Sequence, residues 1–297
     1  MLTGLSVMIL SPLVVMIGVV PVHGCAATAP LAETEIAGDP LALAARAHVT
    51  LAAVGEPVAN RSGAGGTTMG AVRPVTCIRL PGGDLLTAAH TLPTTDLGAV
   101  RMYKDPVTGA YRVDEQNPTD EGPELIVVLD GTASAGRVTA SDTLRYASAG
   151  EGSRASVPAD WAVIATDTAG PLPRGARSVS RIGTPVSGER CVMVGYPMAM
   201  MDRSLFDSGS GVRQISDLKW IGAAGVVITG TIEDVGRERI DIATIGVLGT
   251  KGRGLSGGGV FVERNGQPVL VGVVVQAAKF DERIIACPLP RDVRERF

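Results

Sequence analysis

The chain has 297 residues, 45% of them hydrophobic, and a formal net charge of −3. That length and apolar content suffice for a large core and exclude a disordered tail or a small disulfide-stapled scaffold. The absence of any basic run removes the electrostatic footprint that phosphate-backbone binding needs, so nucleic acid is not expected as a partner.

At the N-terminus, Leu2 to Val22 is apolar apart from Thr3, Ser6 and Ser11 and is interrupted only by Gly and Pro. This is the length of a long export signal or of one membrane anchor. No Lys or Arg precedes Arg46, so a positive n-region is missing. The segment ends Val22-His23-Gly24-Cys25 and looks like a bacterial lipoprotein signal, with Cys25 as the lipidation candidate. Residues 1–25 are read as a signal peptide or lipoprotein leader, and membrane attachment would run through Cys25 or the apolar segment itself. Secretion, lipidation and a retained anchor all place the remainder outside the cytoplasm, as a periplasmic or cell-envelope protein or a secreted one.

Residues 26–70 read as a tether. Leu41 to Val54 carries enough Ala and Leu for a short helix, and Arg61 to Thr67 is a glycine-rich loop. Scarce aromatics, 38 Gly, 19 Pro and recurrent short valine runs then point to many short strands joined by turns. Strands are expected at Val75–Leu80, Leu85–Ala89, Ala99–Tyr103, Leu125–Leu129 and Trp161–Ala165, with turn-rich segments over 105–123 and 131–158. A linker over 170–188 follows, and then strands at Cys191–Gly195, Ala223–Thr229, Ile240–Ile245, Gly259–Glu263, Pro268–Val275 and Arg283–Cys287. The expected fold class is all-β, with two packed six-stranded antiparallel barrels over 71–169 and 189–297.

Cys77, Cys191 and Cys287 are an odd number once Cys25 is set aside, and none has metal-ligand spacing. They read as buried apolar side chains, with a single disulfide as the alternative. No metal, nucleotide or flavin motif is present, so no cofactor is expected.

Three segments carry chemistry. Of His23, His48 and His90, only His90 stands at the end of a short apolar strand, Leu85-Leu86-Thr87-Ala88-Ala89-His90. Of the aspartates from Asp96 to Asp167, Asp160 alone directly precedes an apolar strand, Trp161-Ala162-Val163-Ile164, with Asp167 at the other end of that strand as the fallback. Ser256 lies in Lys251-Gly-Arg-Gly-Leu-Ser-Gly-Gly-Gly-Val-Phe261, where Gly254 stands two positions upstream and a strand follows. A base, an orienting carboxylate, a nucleophile and paired backbone donors are what acyl transfer by serine requires.

The Thr87 to His90 run resembles the histidine motif of the chymotrypsin and trypsin family, Asp160-Trp161-Ala162-Val163 its aspartate signature, and Gly254 to Gly259 its Gly-Asp-Ser-Gly-Gly-Pro motif. The resemblance covers roughly 71–290 and is to the bacterial type, since Thr91 stands where a disulfide cysteine often follows the histidine. It implies a trypsin-like serine protease acting on polypeptides, with His90, Asp160 and Ser256 as the triad and the Gly254 and Ser256 amides as the oxyanion hole. Val275, Gln276 and Ala277 would lie beside the substrate backbone, and Thr250 near the base of a specificity pocket that favours a neutral side chain. Leu255 replaces the family's Asp, which implies no activation by cleavage. A catalytically silent binding protein at the cell surface and an esterase on the same triad are the alternatives.

Overall fold

The computed structural model describes residues 39–58, 68–92, 101–104, 111–114, 124–129, 132–142, 160–166, 176–197, 212–214, 225–245, 254–277 and 283–297. Cys25 and the whole leader lie outside them, as does Thr250.

Helix α1 spans Pro40–Arg46. The Asp39 carboxylate caps it by accepting from the amides of Leu41 and Ala42, and Pro40 occupies the first turn, where no intrahelical N–H is needed. The helix stops well short of the expected Val54. Val49–Val58 is instead strand β1, whose β-branched residues pair on both edges, with β2 (Thr68–Arg79) and β6 (Glu124–Leu129). The first barrel therefore begins upstream of the expected boundary at 71.

That barrel closes through β1, β6, β7 (Thr132–Asp142), β8 (Trp161–Thr166), β3 (Leu85–Thr87) and β2, with every pairing antiparallel. Strand β7 falls in a segment expected to be turns. Its sequence, TASAGRVTASD, has too little apolar alternation to reveal a strand, and its pairing comes from its neighbours β6 and β8. The expected strand near Ala99–Tyr103 is β4 (Arg101–Lys104), which pairs with β5 (Tyr111–Asp114) in a hairpin separate from the barrel sheet.

The chain from Ala176 onward crosses between the halves in extended form. Arg177 N–H donates to Ala47 O and Val179 N–H to Arg79 O, both in the first half. Gly183 N–H and Leu270 N–H then exchange bonds with Leu270 O and Arg181 O in the second.

The second barrel closes through β9 (Arg190–Gly195), β11 (Val226–Val235), β12 (Ile240–Thr244), β15 (Arg283–Pro288), β14 (Gln267–Ala277) and β13 (Gly259–Arg264). One short strand within this half, β10 (Val212–Gln214), pairs back onto β2 of the first barrel. A terminal helix, α2 (Arg291–Arg296), ends the chain. Two closed six-stranded antiparallel barrels form the chymotrypsin-like architecture.

Several strands are apolar on both faces because each face has a separate core to fill. In β9, Cys191 and Met193 point into the second barrel while Val192 and Val194 face the inter-barrel layer. In β8, Ala162 and Ile164 fill the first barrel while Trp161 and Val163 enter that same layer. A period of two with both sets buried reads in sequence as one continuous apolar run. The inter-barrel layer also takes Leu41, Ala42 and Ala45 of α1 and Val293 of α2, so both helices seal the seam.

Candidate active site at the barrel seam

Strand β3 ends at Thr87 and the chain turns through a 3-10 turn, Ala89–Thr91, that presents His90. Ala88 and Ala89 are buried and tie this turn to the barrel, leaving the imidazole as the outward group, its side chain 31% exposed. Strand β8 begins one residue after Asp160, which is fully buried.

The Asp160 carboxylate holds His90 with both oxygens. Oδ1 accepts the His90 backbone N–H at 3.0 Å, and Oδ2 makes a short contact with ring Nδ1. The first bond fixes the turn and the second fixes the ring. With Nδ1–H directed at the carboxylate, a neutral imidazole keeps its lone pair on Nε2, the nitrogen available as a base.

The loop Gly254 to Gly258 leads into β13. Gly254 has φ of 89° and Gly257 has φ of 88°, a region that glycine enters without steric cost. Leu255 is 1% exposed and belongs to the interior of the second barrel, against Gly195. The loop is closed by Gly257 N–H to Val274 O, Gly258 N–H to Leu255 O and Val274 N–H to Gly258 O, each at 2.8 Å. Among the described residues, neither the Gly254 nor the Ser256 amide donates to a backbone carbonyl.

Ser256 Oγ donates to Val275 O at 2.9 Å. Val275 sits where the β14–β15 register shifts between Val274 and Gln276, so its carbonyl is turned out of the ladder. Gly257 packs against the first barrel so closely that a Cβ there would overlap the Thr76 carbonyl oxygen and the Thr87 hydroxyl. Thr87 is three residues before His90, so the serine loop and the histidine turn meet across the seam.

Of the residues singled out from sequence, His90 and Asp160 are in direct contact, and Ser256, Gly254 and Val275 share one loop and its adjoining strand. Gln276 is exposed on β14, and Ala277 is that strand's last residue. Asp167 lies outside the described residues. His48 takes no part here: it is buried, with Nδ1 3.2 Å from Arg177 O and its ring stacked on Phe261 at a centroid distance of 5.8 Å. Thr76 escaped the sequence reading. It stands in a run of strand residues, and nothing local marks a hydroxyl whose partners lie more than a hundred positions away.

Cys77, Cys191 and Cys287 are buried and none is in a disulfide. Burial pushes the thiols of Cys77 and Cys191 up to about 12, so they remain protonated apolar fillers. Among the described residues, no group of three or more His, Cys, Asp or Glu is placed to hold a metal.

The fold and site together define a two-barrel β-protein with a carboxylate-held imidazole on one side of the seam and a glycine-flanked serine loop packed against that seam from the other. No family model and no curated protein matches the chain. Among solved structures, it is similar to the active form of the Rv3671c protease from M. tuberculosis, at 16% identity over 95% of this chain and 89% of that one, with a TM-score of 0.43. The inactive form of the same protease aligns at 14% identity over 86% and 89%, with a TM-score of 0.42. The fold assignment rests on this chain's own strand pairings.

Proposed function

We propose that this chain is a serine hydrolase, and specifically an endopeptidase, working through an acyl-enzyme intermediate. The observation that carries the reading is the exposed His90 imidazole held at two points by the buried Asp160, with a serine loop packed on the same seam whose two amides have no backbone partner among the described residues.

In this mechanism the Ser256 hydroxyl leaves Val275 O by rotation about Cα–Cβ and donates to His90 Nε2. As Oγ attacks the substrate carbonyl carbon, its proton passes to Nε2, the imidazolium is stabilised by Asp160, and the carbonyl oxygen takes the negative charge. The Gly254 and Ser256 amides supply the donors for that oxyanion. Collapse breaks the carbonyl–nitrogen bond, and the imidazolium returns the proton to the leaving amine. Water, deprotonated by the same imidazole, then hydrolyses the acyl-serine ester. Among the described residues β13 pairs with β14 only as far as Val273, so the edge of β14 away from β15 at Val275 to Ala277 is suited to pairing with an extended polypeptide, which favours a peptide over a compact ester substrate. The sequence resemblance, which assigns Thr250 to a specificity pocket, is the ground for expecting a neutral side chain in the substrate.

Leu255 supports a site ordered without activation cleavage, since the loop is anchored by apolar burial in the second barrel rather than by an ion pair. One observation favours a silent binding protein instead: the Ser256 hydroxyl is engaged by Val275 O. A fluorophosphonate probe separates the two readings. The native chain is expected to label, and Ser256→Ala to lose the label entirely; an unlabelled native chain, or a labelled variant, would reject the catalytic reading.

We place this activity outside the cytoplasm on the strength of the apolar segment Leu2–Val22, with Cys25 as the attachment point. Among the described residues no helix is long and apolar enough to cross a membrane. Incorporation of labelled palmitate that Cys25→Ser abolishes would support lipidation, and unchanged incorporation would reject it.

A further inference from the structure

We propose that Thr76 is a positioning residue for the oxyanion loop, setting that loop from the opposite barrel and coupling it to the turn that presents His90. The inference rests on the reading of Ser256 as nucleophile and names what holds its oxyanion donors.

Thr76 belongs to β2 of the first barrel and is 2% exposed, yet its side-chain oxygen is used entirely by the second barrel. Oγ1 accepts the Tyr196 N–H at 3.2 Å and donates to Gly254 O at 3.2 Å. Tyr196 follows β9, and Gly254 opens the serine loop. One hydroxyl therefore bridges two second-barrel segments that lie nearly sixty positions apart in sequence.

The backbone of Thr76 points the other way. Its carbonyl accepts the Thr87 hydroxyl at 2.8 Å, and Thr87 Oγ1 lies 3.2 Å from the hydroxyl of Thr91, the last residue of the turn carrying His90. Thr76 thus stands between the two halves of the site, holding the serine loop with its side chain and the histidine turn with its main chain.

Pinning the Gly254 carbonyl fixes the plane of the peptide linking Gly254 to Leu255. With φ at Gly254 held at 89°, fixing that plane also constrains the direction of the Gly254 N–H. Leu255 cannot supply this alone, because an apolar side chain buried in the barrel fixes position but leaves the neighbouring peptide free to turn. Removing the hydroxyl would take away the bonds it makes to the half-buried Gly254 C=O and Tyr196 N–H, and the Gly254 peptide would then be free to rotate.

The test uses the full chain and compares native protein with Thr76→Val and Thr76→Ser. Three properties are read: the rate of fluorophosphonate labelling, kcat and KM on a chromogenic peptide, and inhibition by a peptide boronic acid that places a charged oxygen in the oxyanion hole. A misaimed oxyanion donor is expected to lower kcat of T76V by about 10- to 100-fold with KM nearly unchanged. Boronate affinity should fall in parallel, and T76S should restore all three. Should T76V lack a cooperative thermal transition, Thr76→Ala serves the same comparison with less bulk. Labelling and turnover at the native rate in T76V, or failure of T76S to recover, would overturn the role of Thr76 alone. A native chain that neither labels nor turns over would overturn the catalytic reading and this inference with it.

Discussion

Asp160 holds His90 by two bonds at once, accepting the backbone N–H with one oxygen and facing ring Nδ1 with the other. The carboxylate has no exposed surface, while the ring it orients faces outward, so the charge sits beneath the base. Asp160→Asn would keep an acceptor for the backbone bond but present an N–H to the ring, forcing the tautomer with hydrogen on Nε2. Turnover should fall by about 10⁴-fold with the thermal midpoint nearly unchanged, as expected for a tautomer error without loss of packing. Measured kcat within a few-fold of native would show that Asp160 does not set the tautomer.

Leu255 fills the interior of the second barrel, at the position where the Gly-Asp-Ser-Gly-Gly-Pro motif that the loop resembles carries an aspartate. Leu255→Ala would leave a cavity and cost about 2–5 kcal/mol, read as a lower urea midpoint with an unchanged m-value. Labelling by fluorophosphonate should slow more than stability alone explains, because the loop loses its anchor. A urea midpoint equal to native would mean the side chain is not packed as described.

Gly257 has no room for a side chain, since a Cβ would overlap Thr76 O and Thr87 Oγ1, and its φ of 88° adds backbone strain. Gly257→Ala should therefore push the serine loop away from the first barrel. The expected outcome is loss of about 2 kcal/mol or more and of probe labelling together. Retention of both would contradict the close approach of the barrels at this point.

His48 links stability to pH. Burial holds its imidazole below the ordinary value of 6.5, outweighing the carbonyl bonds at Arg177 and Ser178 that favour its protonation. The unfolded chain therefore binds more protons than the folded one as pH drops below about 6.5. Stability is full above that pH and declines as pH falls toward the lower folded value. Urea unfolding between pH 5 and 7.5 should show this slope, and His48→Gln should flatten it; an equal slope in the variant would assign it to other groups.

The buried thiols make a chemical prediction. With their values pushed up to about 12, Cys77 and Cys191 should resist iodoacetamide at pH 8 in the native protein and react once it is unfolded, as peptide mapping by mass spectrometry would show. Rapid native modification at either position would mean that its strand opens readily.

Much of the architecture was readable because several strands of the second barrel are short apolar runs between turn residues. Cys191–Gly195, Gly259–Glu263 and Arg283–Cys287 fall within one residue at either end of β9, β13 and β15. Val49–Val58 was hidden because Ala and Leu at its start suit a helix as well as a strand, and only its pairing with β2 and β6 settles the matter. Strand β7 was hidden for the opposite reason, having almost no large apolar residues to betray a period.

The sequence by itself determined the strand-rich class and marked His90, Asp160 and Ser256, because each stands at the junction of an apolar run and a turn, a pattern written in neighbouring residues. Tertiary structure alone decided what holds each of them: the double hold of Asp160 on His90, the donation of Ser256 to Val275, and the bridge from Thr76 to Gly254. A hydrogen bond between residues far apart in the chain depends on how two barrels seat against each other, and that seating follows from the packing of buried faces, which leaves no local periodicity to read.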